Sequence, residues 1–275
     1  FPIRHIYPDE TIDAWLEKDL KSKFPDRKIE VINAAVTGYM VYQHTFYLLS
    51  ELLDYRPDIV IFFDGANDHF INNPRYDYYQ HNRYQFWKER LQHPSAGGMF
   101  TYFMHWLSQY SAFARGYMAW KLYRDALENH SRYPTNRMFD NPGQIVQSHK
   151  AIAPGQYLRA VETNLTILEN HQVKAIVCLQ PFLVLRDSAH YSAEEKSFFY
   201  DDPCIRILYP AVLDELKAVT SRHRVPMLDI NPYFNREEYS RKQLFIDGYH
   251  LSPLGSRVSA NAIFPVLDSL ISTLH

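Results

Sequence analysis

Two short apolar runs constrain the fold of this chain most. Residues 58–63 read Asp-Ile-Val-Ile-Phe-Phe, and residues 173–179 read Val-Lys-Ala-Ile-Val-Cys-Leu. Such continuous runs are typical of strands that are buried on both faces of a parallel sheet. Two further strands are predicted at 28–33, a short one, and at 225–230. Helical spacing of apolar residues predicts helices over 9–24, about 41–55, 156–170, 205–223 and 252–274. The alternation predicts an α/β fold, with a parallel sheet that carries helices on both faces.

Residues 70–155 interrupt this alternation. The segment is rich in Tyr, His, Trp and Asn, with a helical pattern near residues 100–128, and it is far longer than an ordinary connection between a strand and a helix. Two interpretations are open, a lid that shapes a binding cleft and an added helical layer that closes a larger core. The sequence therefore predicts a single domain over residues 1–275, with an insertion at 70–155.

Charge and composition exclude several classes of protein. Lys and Arg total 29 against 31 for Asp and Glu, a net charge of −2, which argues against a general nucleic-acid binder. No run of 18 apolar residues occurs, so we predict no membrane span in this chain. Cys178 lies in an apolar run and is predicted to be a buried thiol.

Four of the nine glycines lie in or beside the polar segments described next, which predicts close backbone approaches at these positions: Gly38, Gly65, Gly248 and Gly255.

Two polar segments each follow a predicted strand. Gly38 follows the strand at 28–33 and would let a backbone N–H approach a ligand closely. Gly65, Asn67 and Asp68 follow the strand at 58–63, at the edge where open α/β sheets bind ligands. Gly65 permits the turn, the Asn67 amide could donate to a developing oxyanion, and Asp68 could cap the turn. A glycine turn and an Asn-Asp turn without a catalytic role are the alternative interpretations.

Asp247 and His250 stand three residues apart before the last predicted helix. A carboxylate at this spacing can accept from the imidazole Nδ1–H, which fixes the tautomer and leaves Nε2 as a general base. Ser252 as the N-cap and Pro253 in the first turn place the pair in the loop that enters the helix. The alternative is an ordinary surface loop, since the chain has 13 histidines.

The order of these three segments resembles that of the SGNH hydrolases, also called the GDSL esterase/lipase family, over most of the chain outside 70–155. The resemblance implies a flavodoxin-like sheet with strand order 2-1-3-4-5. It also implies that Gly38 and Asn67 are oxyanion-hole donors and that Asp247 and His250 belong to a Ser-His-Asp triad. No metal or organic cofactor is implied, and the sequence contains neither His-Glu-x-x-His nor a cysteine pair at zinc spacing.

One block of the family pattern, a Gly-x-Ser that ends the first strand, is not found in this sequence. Residues 1–4, Phe-Pro-Ile-Arg, resemble the turn that follows that block. We therefore expect the first strand and its serine just upstream of Phe1, and we expect residues 1–275 alone to be inactive. A signal or anchor in the same upstream segment would place the protein outside the cytoplasm.

Three functions fit these residues. The first is hydrolysis of O-acyl esters, with O-acetyl esters of a glycan or small molecule as the expected substrate. The second is transfer of acetyl groups to a polysaccharide, and the third is a binding domain with a degenerate site. A flavin or nucleotide binder would fit the fold, but the chain lacks a phosphate-binding loop. The oligomeric state is left open.

Overall fold

The computed structural model describes residues 7–36, 38–68, 153–199, 201 and 203–274, with scattered positions between 100 and 120. The chain divides into two compact units, one formed by Phe1–Asn72 with Val146–His275 and the other by Asn73–Ile145. The second unit falls within the segment predicted as an insertion, and most of its described positions are helical. Its role as a lid or as a helical layer stays a prediction.

The first unit contains a parallel sheet of three described strands. They are β1 (Ile59–Asp64), β2 (Lys174–Leu179) and β3 (Met227–Asp229), in the spatial order β1-β2-β3. Ile61 lies opposite Ile176, and Val177 lies opposite Met227. The prediction of a parallel sheet from the apolar runs is confirmed.

Seven described helices surround the sheet. They are α1 (Ile12–Lys23), α2 (Val41–Ser50), α3 (Ala153–Asn170), α4 (Ala193–Phe198), α5 (Pro203–Arg222), α6 (Asn231–Phe234) and α7 (Pro253–Ile271). The five predicted helices correspond to α1, α2, α3, α5 and α7. The second is shorter than predicted, because the chain continues from Leu52 to Tyr55 as a 3-10 turn. None of the described helices is long and apolar enough to cross a membrane.

The two faces of the sheet are covered by different helices. On one face, Ile176 and Cys178 of β2 pack with Leu16 of α1 and Ile263 of α7 in one buried cluster. The intervening strand positions point to the other face, where α3 contacts β2, α5 contacts β3, and α2 packs on α3. Cys178 has no exposed surface, so the predicted buried thiol is confirmed. Burial and the nearby Asp64 carboxylate raise the pKa of this thiol well above its usual value.

The predicted strand at 28–33 is wrong, because these residues form no strand in the structure. The Val31 N–H donates to Glu17 Oε2 at 3.2 Å, and Asn33 Nδ2 donates to Asp13 Oδ1 at 2.9 Å. A strand requires a ladder of backbone hydrogen bonds with a neighbour. In the described part of the chain this segment has no such neighbour and contacts side chains of α1 instead.

Candidate active site

The Asp247–His250 segment forms the tip of a short hairpin directly before α7. Phe245 and Leu251 pair in an antiparallel bridge, and the Ile246 N–H donates to the His250 carbonyl at 2.9 Å. The local sequence therefore folds back on itself around the two residues. We call residues 244–252 the dyad hairpin.

The dyad hairpin is fixed to the first turn of α7. The Ser252 hydroxyl accepts from the Gly255 N–H at 3.1 Å, as predicted for an N-cap, and donates to the Gln243 carbonyl at 2.7 Å. A Cβ added to Gly255 would lie 2.1 Å from the Leu244 carbonyl oxygen, so the predicted close approach at Gly255 is confirmed. At Gly248, as at Gly38, a Cβ would meet no protein atom within 4 Å, so a close backbone approach to a ligand at these two positions stays a prediction.

Asp247 and His250 form a hydrogen-bonded pair. Asp247 Oδ2 lies 2.6 Å from His250 Nδ1, and Asp247 Oδ1 accepts from the backbone N–H groups of Tyr249 at 3.0 Å and His250 at 2.8 Å. Both carboxylate oxygens are therefore held, and Nδ1 is committed to Asp247. The His250 side chain is 58% exposed, so a substrate can reach its ring.

In the Asp247–His250 pair, each side chain favours the charged form of the other. The hydrogen bond to Asp247 raises the pKa of His250 above its ordinary value, against the opposing effect of desolvation. Burial would raise the pKa of Asp247, but the hydrogen bonds from His250 and from two backbone N–H groups outweigh it and lower that pKa. Asp247 is thus ionised at neutral pH and can stabilise an imidazolium that forms when His250 accepts a proton.

The turns that contain Gly38 and Asn67 meet at the end of β1. Asn67 Nδ2 donates to the Tyr39 carbonyl at 3.2 Å, across 28 residues of sequence. Gly38 has a φ of +77° and Gly65 a φ of +130°, backbone conformations that favour glycine. A side-chain amide carries two N–H donors, so the Asn67 amide can hold Tyr39 and still donate to a substrate oxygen.

Asp68 fixes the start of α2 relative to these turns. Its side chain is buried, and its Oδ1 accepts from the N–H of Val41, the first residue of α2, at 2.9 Å. A carboxylate at this position also interacts favourably with the helix dipole. Asp68 therefore fixes the N-terminus of α2 beside the Gly65 turn, through a contact between distant residues that the local sequence does not reveal.

A second histidine–carboxylate pair lies behind the Gly65 turn. His44 Nδ1 of α2 lies 3.2 Å from Asp64 Oδ1, the last residue of β1. Desolvation lowers the pKa of His44, but the Asp64 and Asp68 carboxylates outweigh this effect and raise it above its ordinary value. Sequence analysis missed this pair, which links α2 to the strand that ends at the site.

Residues just after β2 contact both parts of the site. Gln180 Oε1 accepts from the Ala66 N–H at 2.9 Å, and the Leu183 N–H donates to the Gly248 carbonyl at 2.9 Å. The Gly65 turn and the dyad hairpin thus lie at the same carboxyl edge of the sheet, where ligands bind in open α/β folds. Sequence analysis missed Gln180, although a polar residue at the end of a buried strand could have indicated it.

The sequence model of the GDSL-like lipase/acylhydrolase family matches residues 4–258. The chain belongs to the GDSL-like lipase/acylhydrolase family. The family match and the Asp247–His250 pair assign this GDSL-family protein to the hydrolases of the esterase and lipase type.

Solved structures with a similar fold are distant in sequence. LAE5, an alpha/beta hydrolase enzyme from the metagenome of Lake Arreo, Spain, is 16% identical with a TM-score of 0.53, over 95% of this chain and 83% of LAE5. Axe2, an acetylxylan esterase from Geobacillus stearothermophilus, is 14% identical with a TM-score of 0.51, over 93% of this chain and 80% of Axe2. A protein from Parabacteroides merdae described as a GDSL-like lipase is 13% identical with a TM-score of 0.51, over 98% and 88% of the two chains. At these identities the likeness shows the fold alone. No match was found among curated protein sequences.

The GDSL-family protein thus has its predicted site residues in two groups. Asp247 contacts His250 directly, and the Gly38 turn contacts Asn67 through the Tyr39 carbonyl. Among the described residues, no three His, Cys, Asp or Glu side chains are grouped so that they could hold a metal ion. The arrangement offers a general base at Nε2 of an oriented histidine and hydrogen-bond donors near the end of β1.

Proposed function

We propose that this GDSL-family protein hydrolyses O-acyl esters, with O-acetyl as the preferred acyl group, through a Ser-His-Asp triad. The distance of 2.6 Å between His250 Nδ1 and Asp247 Oδ2 carries the proposal. A histidine that is oriented by a carboxylate is the general base that a serine nucleophile requires. In this proposal the serine comes from the Gly-x-Ser block that the family pattern places upstream of Phe1.

The proposed reaction begins when His250 Nε2 takes the proton of the serine hydroxyl and the serine oxygen attacks the ester carbonyl. The Gly38 N–H and the Asn67 amide donate to the resulting oxyanion, while Asp247 stabilises the imidazolium. The imidazolium then protonates the departing alcohol, which leaves an acyl-serine. A water molecule, deprotonated by His250, attacks the acyl-serine, and the acid is released as the serine regains its proton.

The proposed Gly-x-Ser block is compatible with the described sheet. In the order 2-1-3-4-5, the first strand lies next to the third, which corresponds to β1 here, and β1 is the edge strand of the described sheet. A strand added at this edge would end beside the Gly65 turn and would lie between β1 and residues 28–33. Its terminal serine would then lie near the proposed oxyanion donors.

The preference for acetyl esters rests on the comparison with Axe2, whose fold this chain shares. The exposed imidazole of His250 also suits a bulky substrate such as an acetylated glycan, because the ring is not enclosed by the described part of the fold. The substrate class is therefore proposed as an acetyl ester of a glycan or of a small alcohol.

The full-length natural protein would be assayed with nitrophenyl acetate, nitrophenyl octanoate and acetylated xylooligosaccharides. We expect kcat/KM at least ten-fold higher for acetyl than for octanoyl esters, release of acetate from the glycan, and loss of both activities in His250→Gln. A preference for octanoate would overturn the acetyl assignment in favour of a lipase. Acetyl transfer to a sugar in place of water would indicate a transferase, and binding of the glycan without turnover would indicate a binding domain.

A further inference from the structure

A buried ion pair lies beneath the dyad hairpin. The guanidinium of Arg186 contacts Glu195 Oε2, and neither side chain has exposed surface. Arg186 follows the 3-10 turn after β2, and Glu195 is the third residue of α4. Because both charges are removed from water, their remaining donors and acceptors must be satisfied by other protein groups. The identity of these groups indicates what the ion pair holds in place.

The remaining bonds of Arg186 go to one irregular segment of backbone. Its Nε donates to the Phe234 carbonyl at 3.1 Å, its Nη2 to the Tyr239 carbonyl at 2.7 Å, and its Nη1 to the Lys242 carbonyl at 3.1 Å. The segment from 235 to 243 contains only a 3-10 turn and leads directly into the dyad hairpin. Arg186 thus fixes the path of the chain that precedes the hairpin.

Glu195 holds the backbone at the start of the dyad hairpin itself. Its Oε1 accepts from the N–H groups of Leu244 at 2.8 Å and Phe245 at 3.0 Å, and its Oε2 also accepts from the Ser192 N–H at 2.9 Å. Phe245 in turn pairs with Leu251 on the returning strand. The carboxylate therefore holds the outgoing side of the hairpin, which is bridged to the returning side at Leu251.

We propose that Arg186 and Glu195 are positioning residues, which set the place of Asp247 and His250 by anchoring the backbone on which they stand. The dyad side chains are about half exposed, so packing from outside does not hold them. A buried ion pair by itself contributes little to stability. Here, however, the guanidinium donates to three backbone carbonyls and the carboxylate accepts from two backbone N–H groups, all within residues 234–245. These five hydrogen bonds fix the position of the backbone that leads into the dyad hairpin. The catalytic consequence rests on the proposed function of the dyad.

Glu195→Gln is the first test. The glutamine side chain has nearly the same shape as glutamate. Its NH2 group replaces one of the two carboxylate oxygens and cannot accept a hydrogen bond, so the N–H donors that point at this oxygen lose their acceptor. We expect kcat to fall about 10- to 100-fold, the range for a small displacement of catalytic groups, while KM stays within about three-fold. The pKa of His250, followed by NMR and assigned by the signal missing in His250→Gln, should fall towards its ordinary value.

Two further variants separate positioning from folding. Arg186→Lys keeps the charge beside Glu195 but loses the fork, so it should lower kcat and the His250 pKa in the same direction to a smaller extent. Asp19→Asn is the matched control, because Asp19 Oδ2 and Arg257 Nη1 form a 2.7 Å ion pair that joins α1 to α7 and not to the backbone of residues 234–252. It should leave kcat and the His250 pKa unchanged.

The proposal is overturned if Glu195→Gln and Arg186→Lys lower the melting temperature but leave kcat per folded molecule and the His250 pKa unchanged. If Glu195→Gln does not fold, the same two readouts on Arg186→Lys decide the question. If the wild-type protein hydrolyses no acyl ester, the proposed function fails, and the His250 pKa across the variants still shows whether the ion pair positions the dyad.

Discussion

Replacement of Asp247 by Asn tests the orientation of His250 most sharply. In the structure, Oδ1 accepts from two backbone N–H groups and Oδ2 contacts Nδ1. An amide at this position must keep its oxygen towards the backbone donors, so its NH2 group faces Nδ1. The imidazole would then accept a hydrogen bond at Nδ1 and carry its proton on Nε2. Nε2 would have no free lone pair and could not act as the general base.

The expected loss of activity follows from this change of tautomer. The same replacement in a serine protease triad lowers kcat by about 10⁴, which corresponds to about 5 kcal/mol of activation free energy. The pair is half exposed, and exposed ion pairs contribute at most about 1 kcal/mol to stability. Asp247→Asn should therefore abolish most of the turnover while the melting temperature shifts by less than about 4 °C.

The pH profile gives an independent check on Asp247→Asn. His250 acts as a base only when it is neutral, so kcat/KM in the wild type should rise with pH through its raised pKa. Without the carboxylate, the acid limb of the residual activity should move to lower pH. The assay is initial-rate hydrolysis of nitrophenyl acetate. The control is Asp187→Asn, because the exposed Asp187 carboxylate accepts from the Ala189 N–H at 2.9 Å and, within the described part of the chain, forms no pair with a histidine ring. A kcat within ten-fold of wild type would refute the orienting role of Asp247.

Three further changes test other parts of the site. Asn67→Ala removes an oxyanion donor and should lower kcat by about 10²–10³ with little change in KM; steady-state kinetics with wild-type kcat would exclude this role. Gly255→Ala places a Cβ against the Leu244 carbonyl oxygen and should lower the free energy of unfolding by about 1–3 kcal/mol in urea titrations, whereas unchanged stability would contradict the close approach. Gln180→Met removes the acceptor for the Ala66 N–H. An unsatisfied buried donor costs about 1–3 kcal/mol, so the Gly65 turn should shift and kcat should fall about ten-fold. Gln180→Glu keeps an acceptor and should retain most activity, and equal rates for the two variants would exclude this contact from catalysis.

The elements that the sequence predicted well are those with a strong local pattern. The apolar runs at 58–63 and 173–179 form β1 and β2, and Ser252 caps α7 as its position suggested. The strand at 28–33 was wrong because a strand depends on a neighbour as well as on its own residues. The same apolar pattern there meets side chains of α1, such as Glu17 beside the Val31 N–H.

The supporting contacts of the site could not be predicted, because they join residues far apart in the sequence. Glu195 reaches Leu244 across 49 residues, and Asp68 reaches Val41 across 27. Glu195 has the sequence context of an ordinary capping box with Ser192, which it also forms. Nothing in that local pattern shows that its carboxylate is buried under the dyad hairpin.

Covalent labelling of the nucleophile tests the central claim most directly. The full-length natural protein would be treated with a fluorophosphonate, and the modified residue would be located by mass spectrometry. We predict stoichiometric labelling of one serine, in the Gly-x-Ser block that the proposed function requires, and loss of labelling in His250→Gln. Labelling of a different residue, or equal labelling of the wild type and the His250→Gln variant, would contradict a triad that contains Asp247 and His250.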